Sequence, residues 1–173
     1  MSDYRRYRAR GGTFFFTVNL ANRASDALVA HVEDLRAAVA SVLIERPFSI
    51  EAMVVLPDHL HTVWTLPDGD SDFSTRWKDI KTRFSKRTGL AGHRSVSKEV
   101  KGERGVWQRR FWEHMVRDEA DYRAHVAYCW GNPVKHGLCQ KAVDWPYSSI
   151  HRDMRLGRVP AEWGAPVEGA FGE

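Results

Sequence analysis

Hydrophobic residues in the first part of the chain change their spacing in a way that predicts a strand followed by a helix. The run TFFFTVNL, residues 13–20, is rich in β-branched and aromatic residues and follows two glycines, which is typical of a buried strand. Over 27–45 the apolar residues recur every three or four positions, and Pro47 interrupts the pattern. This spacing predicts an amphipathic helix.

Two further apolar runs predict a hairpin. FSIEAMVVL covers 48–56 and HLHTVWTL covers 59–66, and the Pro57-Asp58 pair between them is typical of a turn. We therefore expect these two strands to pair side by side near the centre of a sheet.

The second half of the chain predicts another helix and another strand. Apolar residues at helical spacing follow Asp72 or Ser74, either of which can cap a helix that runs to about Gly89. Residues 89–105 are rich in Gly, Ser and Lys without periodicity, which indicates a mobile basic loop. Residues 106–116 then predict a strand.

The last regular element predicted is a long helix. It begins at Asp118 with an acidic first turn, and its pattern stops at Pro133 and Gly137. The stretch from Trp145 is loop-like, with one short helical turn. The order strand, helix, strand, strand, helix, strand, helix predicts an α+β fold, namely a ferredoxin-like β-α-β-β-α-β sandwich with an added C-terminal helix.

Composition limits the class of protein. The 173 residues are 43% hydrophobic and 28% charged, which is typical of a soluble globular domain. No stretch reaches the roughly 18 apolar residues of a membrane span, and the N-terminus lacks the apolar core of a signal peptide. We therefore expect a cytoplasmic protein. Cys129 and Cys139 lack the spacing of a zinc site and are expected to be buried thiols.

Basic residues are concentrated in two segments. Of the 26 Lys and Arg in the chain, 12 lie between Arg76 and Arg110, where there are only three acids. The first ten residues add four arginines against Asp3 alone, with Tyr4 and Tyr7 interleaved. Two basic segments on an otherwise acidic body indicate a polyanionic partner, although a solvated helix face and a free tail would give the same counts.

His59 and His61 are the first candidates for chemistry. Alternate residues of a strand point to the same face, so both imidazoles project together while Leu60 points the other way. Two imidazoles a few ångströms apart can hold one metal ion. A pair of polar surface histidines is the alternative that these three residues leave open.

Tyr128 and Asn132 are the second candidates. Four residues separate them, so they lie one turn apart on the same face of the last helix. The Asn132 oxygen, close to the helix end, can serve as a hard metal ligand, and tyrosine is among the side chains that form covalent intermediates. A core tyrosine is the alternative. Tyr122 is a rival nucleophile, but six residues turn a helix by about 600°, so it faces elsewhere.

Four long segments carry a resemblance to a known family. They are PDHLHTVWTLPDGDSDFSTRWKDIKTRFS, VWQRRFWEHMVRDEADYRAHV, YCWGNPVKHGL and DWPYSSIHR. In this order they resemble the REP-associated tyrosine transposases, a branch of the HUH single-tyrosine (Y1) transposases, and the likeness covers nearly all of the chain. Cys129-Trp130-Gly131 departs from the family pattern, which usually has isoleucine and an aromatic or polar residue there.

The resemblance implies an enzyme that nicks and joins single-stranded DNA at the hairpins of repetitive extragenic palindromes (REP) and reads a tetranucleotide beside the stem. It implies that His59, His61 and Asn132 hold Mg or Mn. It further implies that Tyr128 attacks the DNA phosphate, which leaves a 5′-phosphotyrosine link and a free 3′-hydroxyl.

The resemblance also suggests how the chain is organised. We expect a catalytic domain over 13–145, between a basic N-terminal arm at 1–12 and a C-terminal tail at 146–173, whose last residues, 168–173, could cover the site. A monomer is favoured and a dimer is the alternative. The candidate auxiliary residues are His114, which follows Glu113 on the predicted strand, His125 and His136.

Basic and aromatic side chains are the expected DNA contacts. Those of the helix at 76–87 can follow a duplex stem, those of the N-terminal arm can enter a groove or grip unpaired bases, and Trp107 and Trp112 are the tryptophans expected nearest to bases. The basic residues expected to bind DNA are Arg5, Arg6, Arg8, Arg10, Arg76, Lys78, Lys81, Arg83, Lys86, Arg87, Arg109 and Arg110.

Two other functions are alternatives to this one. A nucleic-acid-binding regulator without catalysis would use the same sheet surface, and it stays open as the alternative. A two-histidine cyclic phosphodiesterase needs two separated HxT or HxS motifs. Since none of His59, His61 and His151 heads such a motif, the phosphodiesterase is excluded.

Overall fold

A single antiparallel sheet organises the chain in the computed structural model, which describes residues 9–164. The strands are β1 (Thr13–Asn19), β2 (Ser49–Val55), β3 (His59–Thr65) and β4 (Trp112–Met115). Their order across the sheet is β2, β3, β1, β4, and each neighbouring pair is antiparallel. This order confirms the ferredoxin-like α+β prediction.

Helices cover both faces of the sheet. Within the described part of the chain they are α1 (Ala27–Ala30), α2 (Val32–Glu45), α3 (Phe73–Thr88), α4 (Val96–Val100), α5 (Glu119–Lys135) and α6 (Ile150–Arg155), with a 3-10 turn at Ala142–Asp144. Helices α2 and α3 pack on one face, and α5 packs on the other. None of the helices in residues 9–164 is long and apolar enough to cross a membrane.

The alternation of β1 explains why the sheet has two cores. Phe14 and Phe16 point to the face that α2 and α3 cover, whereas Phe15 points to the α5 face, and all three rings are fully buried. Burying such a side chain contributes about 1.5–3 kcal/mol relative to leaving it exposed. The central strands are therefore apolar on both sides, and a polar side chain on the α5 face is placed in a dry environment.

Three elements differ from the sequence-based prediction in their limits. The helix predicted over 27–45 breaks at His31, whose φ of −116° and ψ of 36° depart from helical values. The strand predicted over 106–116 is reduced to Trp112–Met115, because Trp107 forms only an isolated bridge with Leu20. Helix α5 continues past Pro133 to Lys135.

The basic segment 89–105 is more structured than its composition predicts, since it contains α4. Its two ends meet where the Gly92 amide donates to the Arg104 carbonyl at 2.8 Å. A Cβ on Gly92 would lie 2.4 Å from the Gly105 oxygen, and Gly105 itself has a φ of +73°. Only glycine allows this close crossing of the two backbones, which pins the base of the segment.

The segment after α5 covers the outer edge of the sheet. Val54 forms a bridge with Ser148, the Val55 amide donates to the Tyr147 carbonyl, and the Trp145 indole donates to the Val55 carbonyl at 2.9 Å. These contacts protect strand β2 from pairing with another chain. As expected, Cys129 is buried, but Cys139 is partly exposed, so the prediction of two buried thiols is wrong for Cys139.

Candidate active site

His59 and His61 project from β3 toward α5, as the strand period predicts. Their rings meet edge to face, with centroids 5.0 Å apart and planes at 84°. In the register of β1 and β3, His59 lies opposite Asn19 and His61 lies opposite Thr17. The two imidazoles therefore sit at the end of the two central strands, on the dry side of the sheet.

Each imidazole is held through its Nδ1 atom. His59 Nδ1 lies 2.7 Å from the Asp58 carboxylate, which can only accept, so Nδ1 donates and Nε2 keeps its lone pair in the neutral ring. His61 Nδ1 lies 2.9 Å from the Thr17 hydroxyl. Such outer partners fix the orientation and tautomer of metal-binding histidines.

Burial keeps both imidazoles neutral. It lowers the pKa of His59, an effect that the hydrogen bond and the charge of Asp58 partly offset. Burial also lowers the pKa of His61 well below its usual value, and the charges of His59, His136 and Lys135 act in the same direction. A neutral imidazole is the form that binds a metal ion.

Tyr128 and Asn132 reach the histidine pair from α5. The Tyr128 ring meets the His61 ring edge to face, with centroids 5.1 Å apart. Asn132 lies close enough to His61 to raise its pKa, which partly offsets the lowering by burial. Both residues are almost completely buried. The four residues that the sequence grouped by spacing on two separate elements thus lie together.

The polar atoms at this point fit a metal ion. His59 Nε2, His61 Nε2 and the Asn132 amide oxygen are buried and have no hydrogen-bond partner among residues 9–164. An unsatisfied buried polar atom costs about 1–3 kcal/mol, so three of them side by side are unusual unless a ligand satisfies them. Two imidazole nitrogens and one amide oxygen suit a divalent cation that keeps open positions for substrate.

Lys135 is a site residue that sequence reasoning missed. Its Nζ donates to the Tyr128 hydroxyl at 3.3 Å and lies 5.0 Å from the centre of the same ring. Seven residues, close to two helical turns, separate Lys135 from Tyr128, and this spacing was the signal that could have found it. His136, named as an auxiliary candidate, also reaches the site, with its ring 5.1 Å from that of His59.

A second cluster of potential metal ligands lies nearer to the start of α5. Ligand atoms of His114, Asp121 and His125 fall within 4.8 Å of one another, so by distance alone they could hold an ion. Their atoms already bond to each other. His114 Nε2 lies 2.8 Å from the Asp121 carboxylate, and His125 Nδ1 lies 2.8 Å from the Asp121 carbonyl.

Two other named residues lie away from the histidine pair. Burial raises the pKa of Tyr122, and the nearby negative charges of Glu51 on β2 and Asp153 on α6 raise it further. The rival tyrosine therefore lies toward β2 and α6. Glu113 faces the opposite side of the sheet from His114, because it pairs with Phe16 rather than with Phe15. Glu113 therefore lies on the other side of the sheet from the histidine pair.

The expected basic surface divides into several groups. Arg5, Arg6 and Arg8 lie outside the described residues, and Arg10 is exposed. Three other basic residues pair with acids, namely Arg83 with Glu45, Arg87 with Asp34 and Arg109 with Glu103. Lys81 donates to the Gln108 carbonyl. Those that are exposed without a carboxylate within 4.0 Å in residues 9–164 are Arg10, Lys78, Lys86 and Arg110.

Arg76 is not part of the exposed basic surface that the sequence predicts. It is only 3% exposed, and its guanidinium donates to the carbonyls of Arg46, Pro47 and Asp72 and to the Asp70 carboxylate. These bonds tie α3 to the turn before β2. The expectation that Arg76 faces DNA is not met, because three backbone oxygens that no sequence pattern reveals enclose its charge.

Known proteins resemble this chain over nearly its whole length. No protein-family model matches it. The REP-associated tyrosine transposase of Escherichia coli K12 is 48% identical over 167 residues, which cover 96% of this chain and 93% of the relative. A Haemophilus influenzae protein that bears the same family name on a provisional basis is 38% identical, over 95% of this chain and 94% of the relative.

A solved structure agrees with the sequence comparison. It is described as a REP-associated tyrosine transposase bound to a REP hairpin, and it is 48% identical to this chain. It superposes with a TM-score of 0.90 and covers 100% of this chain and 98% of the solved one. At this identity over nearly the whole length of both proteins, the chain belongs to the family of REP-associated tyrosine transposases.

Proposed function

We propose that this transposase is a metal-dependent endonuclease and strand transferase that acts on the single-stranded DNA of REP hairpins through a covalent 5′-phosphotyrosine intermediate. The observation that carries the proposal is the grouping of two imidazole nitrogens and an amide oxygen, all buried and unsatisfied among residues 9–164, beside the Tyr128 ring. Buried polar groups are normally hydrogen-bonded, so ordinary packing of polar side chains does not explain three unsatisfied atoms together in a dry core.

The residues divide the chemistry among them. His59, His61 and Asn132 would hold Mg or Mn, which when bound polarises the scissile phosphate as a Lewis acid. The Tyr128 hydroxyl gives its proton to water, and its oxygen forms a bond to phosphorus while the bond from phosphorus to the 3′ oxygen breaks. The 3′ oxygen takes a proton from water and leaves as a hydroxyl. The charge of Lys135, 3.3 Å from the phenol oxygen, favours loss of the phenolic proton.

Access to the nucleophile requires a movement. Tyr128 is 1% exposed and His61 is fully buried, so a phosphate reaches them only after neighbouring groups shift. Residues 168–173, which the sequence leaves open as a cover for the site, lie outside the described residues. The proposed order of events is DNA binding, opening of the site and then attack.

The partner in this proposal is a hairpin with single-stranded flanks. It is supported by the related solved structure, which holds a REP hairpin, and by the exposed cations Lys78, Lys86 and Arg110. We further propose a cytoplasmic monomer with a catalytic domain at 13–145 flanked by an arm and a tail. Affinity should fall steeply with salt, with a log-log slope of roughly −0.7 to −0.9 per phosphate neutralised.

A covalent-trapping assay tests the proposal. Full-length protein is incubated with end-labelled REP hairpin DNA from its host and Mn, and adducts that survive denaturation are counted. We expect an adduct in the wild type and in Tyr122→Phe, which controls for loss of a helix hydroxyl, and none in Tyr128→Phe or after chelation. A wild type that binds the hairpin but forms no adduct with any flank would instead support the non-catalytic regulator.

A further inference from the structure

A cleft lies on the face of the sheet opposite Tyr128, between α3 and the segment 101–111. Its volume is about 720 Å³, within the range of about 300–1,000 Å³ that ligand sites occupy. Trp77 and Trp107 line it and are almost fully buried, so they form an apolar floor. Phe111 also lines the cleft and is partly exposed. The cleft therefore offers an aromatic surface below the level of its rim.

The rim of the cleft is strongly positive. Its lining contains six cations and one acid, Glu103, whose carboxylate already pairs with one of the six at 2.9 Å. Four of the cations are exposed and have no carboxylate within 4.0 Å in residues 9–164, so their charge is available to a ligand. Those four are Lys78, Lys86, Lys101 and Arg104, and the other two are Lys81 and Arg109.

Lys81 joins the charge to the aromatic rings. Its Nζ lies 5.3 Å from the centre of the Phe111 ring and 5.8 Å from that of Trp107, and it donates to the Gln108 carbonyl at 2.9 Å. The Trp107 indole in turn donates to the Lys81 carbonyl. A cation fixed beside aromatic faces suits a ligand that presents a flat ring and an anionic group together, as a nucleotide does.

The cleft is connected to the histidine pair through the end of the sheet. The Gln108 amide donates to the Asn19 carbonyl at 3.0 Å, and Asn19 lies opposite His59 in the register of β1 and β3. Two steps of roughly 4.8 Å between neighbouring backbones separate Gln108 from His59. Because the cleft and the imidazoles lie on opposite faces of the sheet, a DNA strand that reaches both must pass around this end of the sheet. It therefore needs more than the three stacked nucleotides that would span roughly 10 Å at 3.4 Å each.

We propose that this cleft binds unpaired nucleotides of the flank, more than three positions from the cleavage point, with one base stacked on Phe111 and its phosphates against Lys78 and Lys101. The proposal rests on the proposed function for its substrate. Unpaired bases are favoured over a duplex stem because a base inside a helix has both faces stacked on its neighbours and cannot meet a recessed ring. The cleft then places one part of the flank while the scissile phosphate lies at the histidines.

An abasic-site scan tests the stacking contact. Binding is measured at equilibrium in the Tyr128→Phe background, which prevents cleavage, with a host REP hairpin in which each flanking nucleotide in turn lacks its base. We expect one or two positions, more than three nucleotides from the cleavage point, to lose affinity about tenfold. Phe111→Leu, which keeps an apolar side chain but removes the ring, should weaken the intact hairpin by a similar factor and abolish the additional loss at those positions.

A second measurement tests the charge contacts and does not depend on the ring. Lys78→Ala and Lys101→Ala should each reduce the salt slope of binding by about 1 for the hairpin with flanks and leave it unchanged for the blunt stem alone. Arg155→Ala is the matched control, since this exposed arginine lies on α6, beside β2 at the other edge of the sheet. It should leave the slope unchanged for both DNAs.

The outcomes separate this proposal from the proposed function. A sensitive base whose loss is independent of Phe111 would overturn the cleft proposal, as would lysine variants that weaken the blunt stem and the flanked hairpin alike. Neither result would affect the covalent adduct of the wild type. Conversely, coupling between Phe111 and one base would support the cleft even if no adduct formed, because binding is measured without cleavage.

Discussion

Two pairs of histidines lie on the same side of the sheet, and they differ in how their rings meet. The rings of His59 and His61 are nearly perpendicular at 84°, whereas those of His114 and His125 stack at 18° with centroids 4.6 Å apart. The lone pair of an imidazole nitrogen lies in the ring plane. Crossing planes share a line on which both nitrogens can meet one ion, but stacked planes direct their nitrogens side by side.

The partners of the two pairs reinforce this difference. In the first pair the Nδ1 atoms bond to Asp58 and Thr17, which leaves both Nε2 atoms directed at the buried site. In the second pair one nitrogen of each ring, His114 Nε2 and His125 Nδ1, bonds to Asp121, which also accepts from the Arg117 amide just before α5. Ring orientation therefore separates the pair that we propose to bind a metal ion from a pair that fastens the helix, although the second pair has the more typical ligand set.

Phe15 connects the two pairs. Its ring stacks on His61 with centroids 5.6 Å apart and packs against His125 at 4.8 Å, and its edge meets Tyr128 at 5.8 Å. Helix α5 is thus fastened near its start by one histidine pair and brings Tyr128 to the other. The second pair acts on Tyr128 only through the position of the helix.

The largest expected effect comes from removing one ring of each pair. His61→Ala should abolish binding of Mn by calorimetry and reduce adduct formation at least about a thousandfold, well beyond the roughly 10- to 100-fold loss typical of outer-shell changes. His114→Ala should leave Mn affinity unchanged and lower the free energy of unfolding by about 1–2 kcal/mol, since it removes a hydrogen bond to a charged group. If His114→Ala removed Mn instead, the assignment of the two pairs would be reversed.

Substitutions of the acids beside the two pairs should also differ in their effect on Mn affinity, with the larger loss at the first pair. Asp58→Asn replaces the carboxylate that orients His59, so Mn affinity and adduct formation should each fall about 10- to 100-fold. Asp121→Asn is the matched variant, because it changes the carboxylate that accepts from His114 and is expected to leave Mn affinity unchanged. Equal losses of Mn affinity in the two variants would contradict the division between a metal-binding pair and a fastening pair.

Sequence reasoning recovered the first pair because its information is local. The strand period places His59 and His61 on one face, and the helix period places Tyr128 and Asn132 on one face, so the two halves of the site follow from three and five residues of sequence. The core fold was also predictable, since long apolar runs and turn residues set β1, β2 and β3. The Asp72 cap of α3 is confirmed by its bond from the Thr75 amide.

The second pair could not be predicted, because it depends on contacts between distant elements. The stacking of His114 on His125 requires the angle between β4 and α5, which no short pattern encodes. The prediction that Arg76 contacts DNA was wrong for the same reason. Its helical position indicated a polar face, yet the carbonyls of Arg46 and Pro47, about thirty residues earlier, close over it. The predicted limits of β4 were wrong, because only four residues of the predicted strand pair with β1.

Substitution of Lys135, beside Tyr128, should have a smaller effect, which falls on the rate of adduct formation and does not lower Mn affinity. Lys135→Met should slow adduct formation about tenfold, the low end for a hydrogen bond to a charged group, because the bond to Tyr128 is long at 3.3 Å. Mn affinity should stay equal or rise, since a nearby positive charge is lost. Lys141→Met, at an exposed lysine close to the end of α5, is the control and should keep the wild-type rate. A fall in Mn affinity with Lys135→Met would place the lysine among the groups that hold the cation.

The smallest effect concerns the pH dependence of stability and belongs to the second pair alone. Burial of Asp121 would raise its pKa, but hydrogen bonds from His114 and Arg117 outweigh this and lower the pKa to about 2. Because the unfolded chain takes up this proton at its ordinary pKa of 3.8, the stabilisation is complete above about pH 4 and is lost as the pH falls toward 2. Asp121→Asn, followed by urea unfolding between pH 4 and pH 2, should therefore lose stability more slowly than the wild type, by at most about 1.4 kcal/mol per pH unit. Parallel curves for the two proteins would mean that Asp121 titrates alike in the folded and unfolded states, and the pair of stacked histidines would then have no measurable hold on the start of the tyrosine helix.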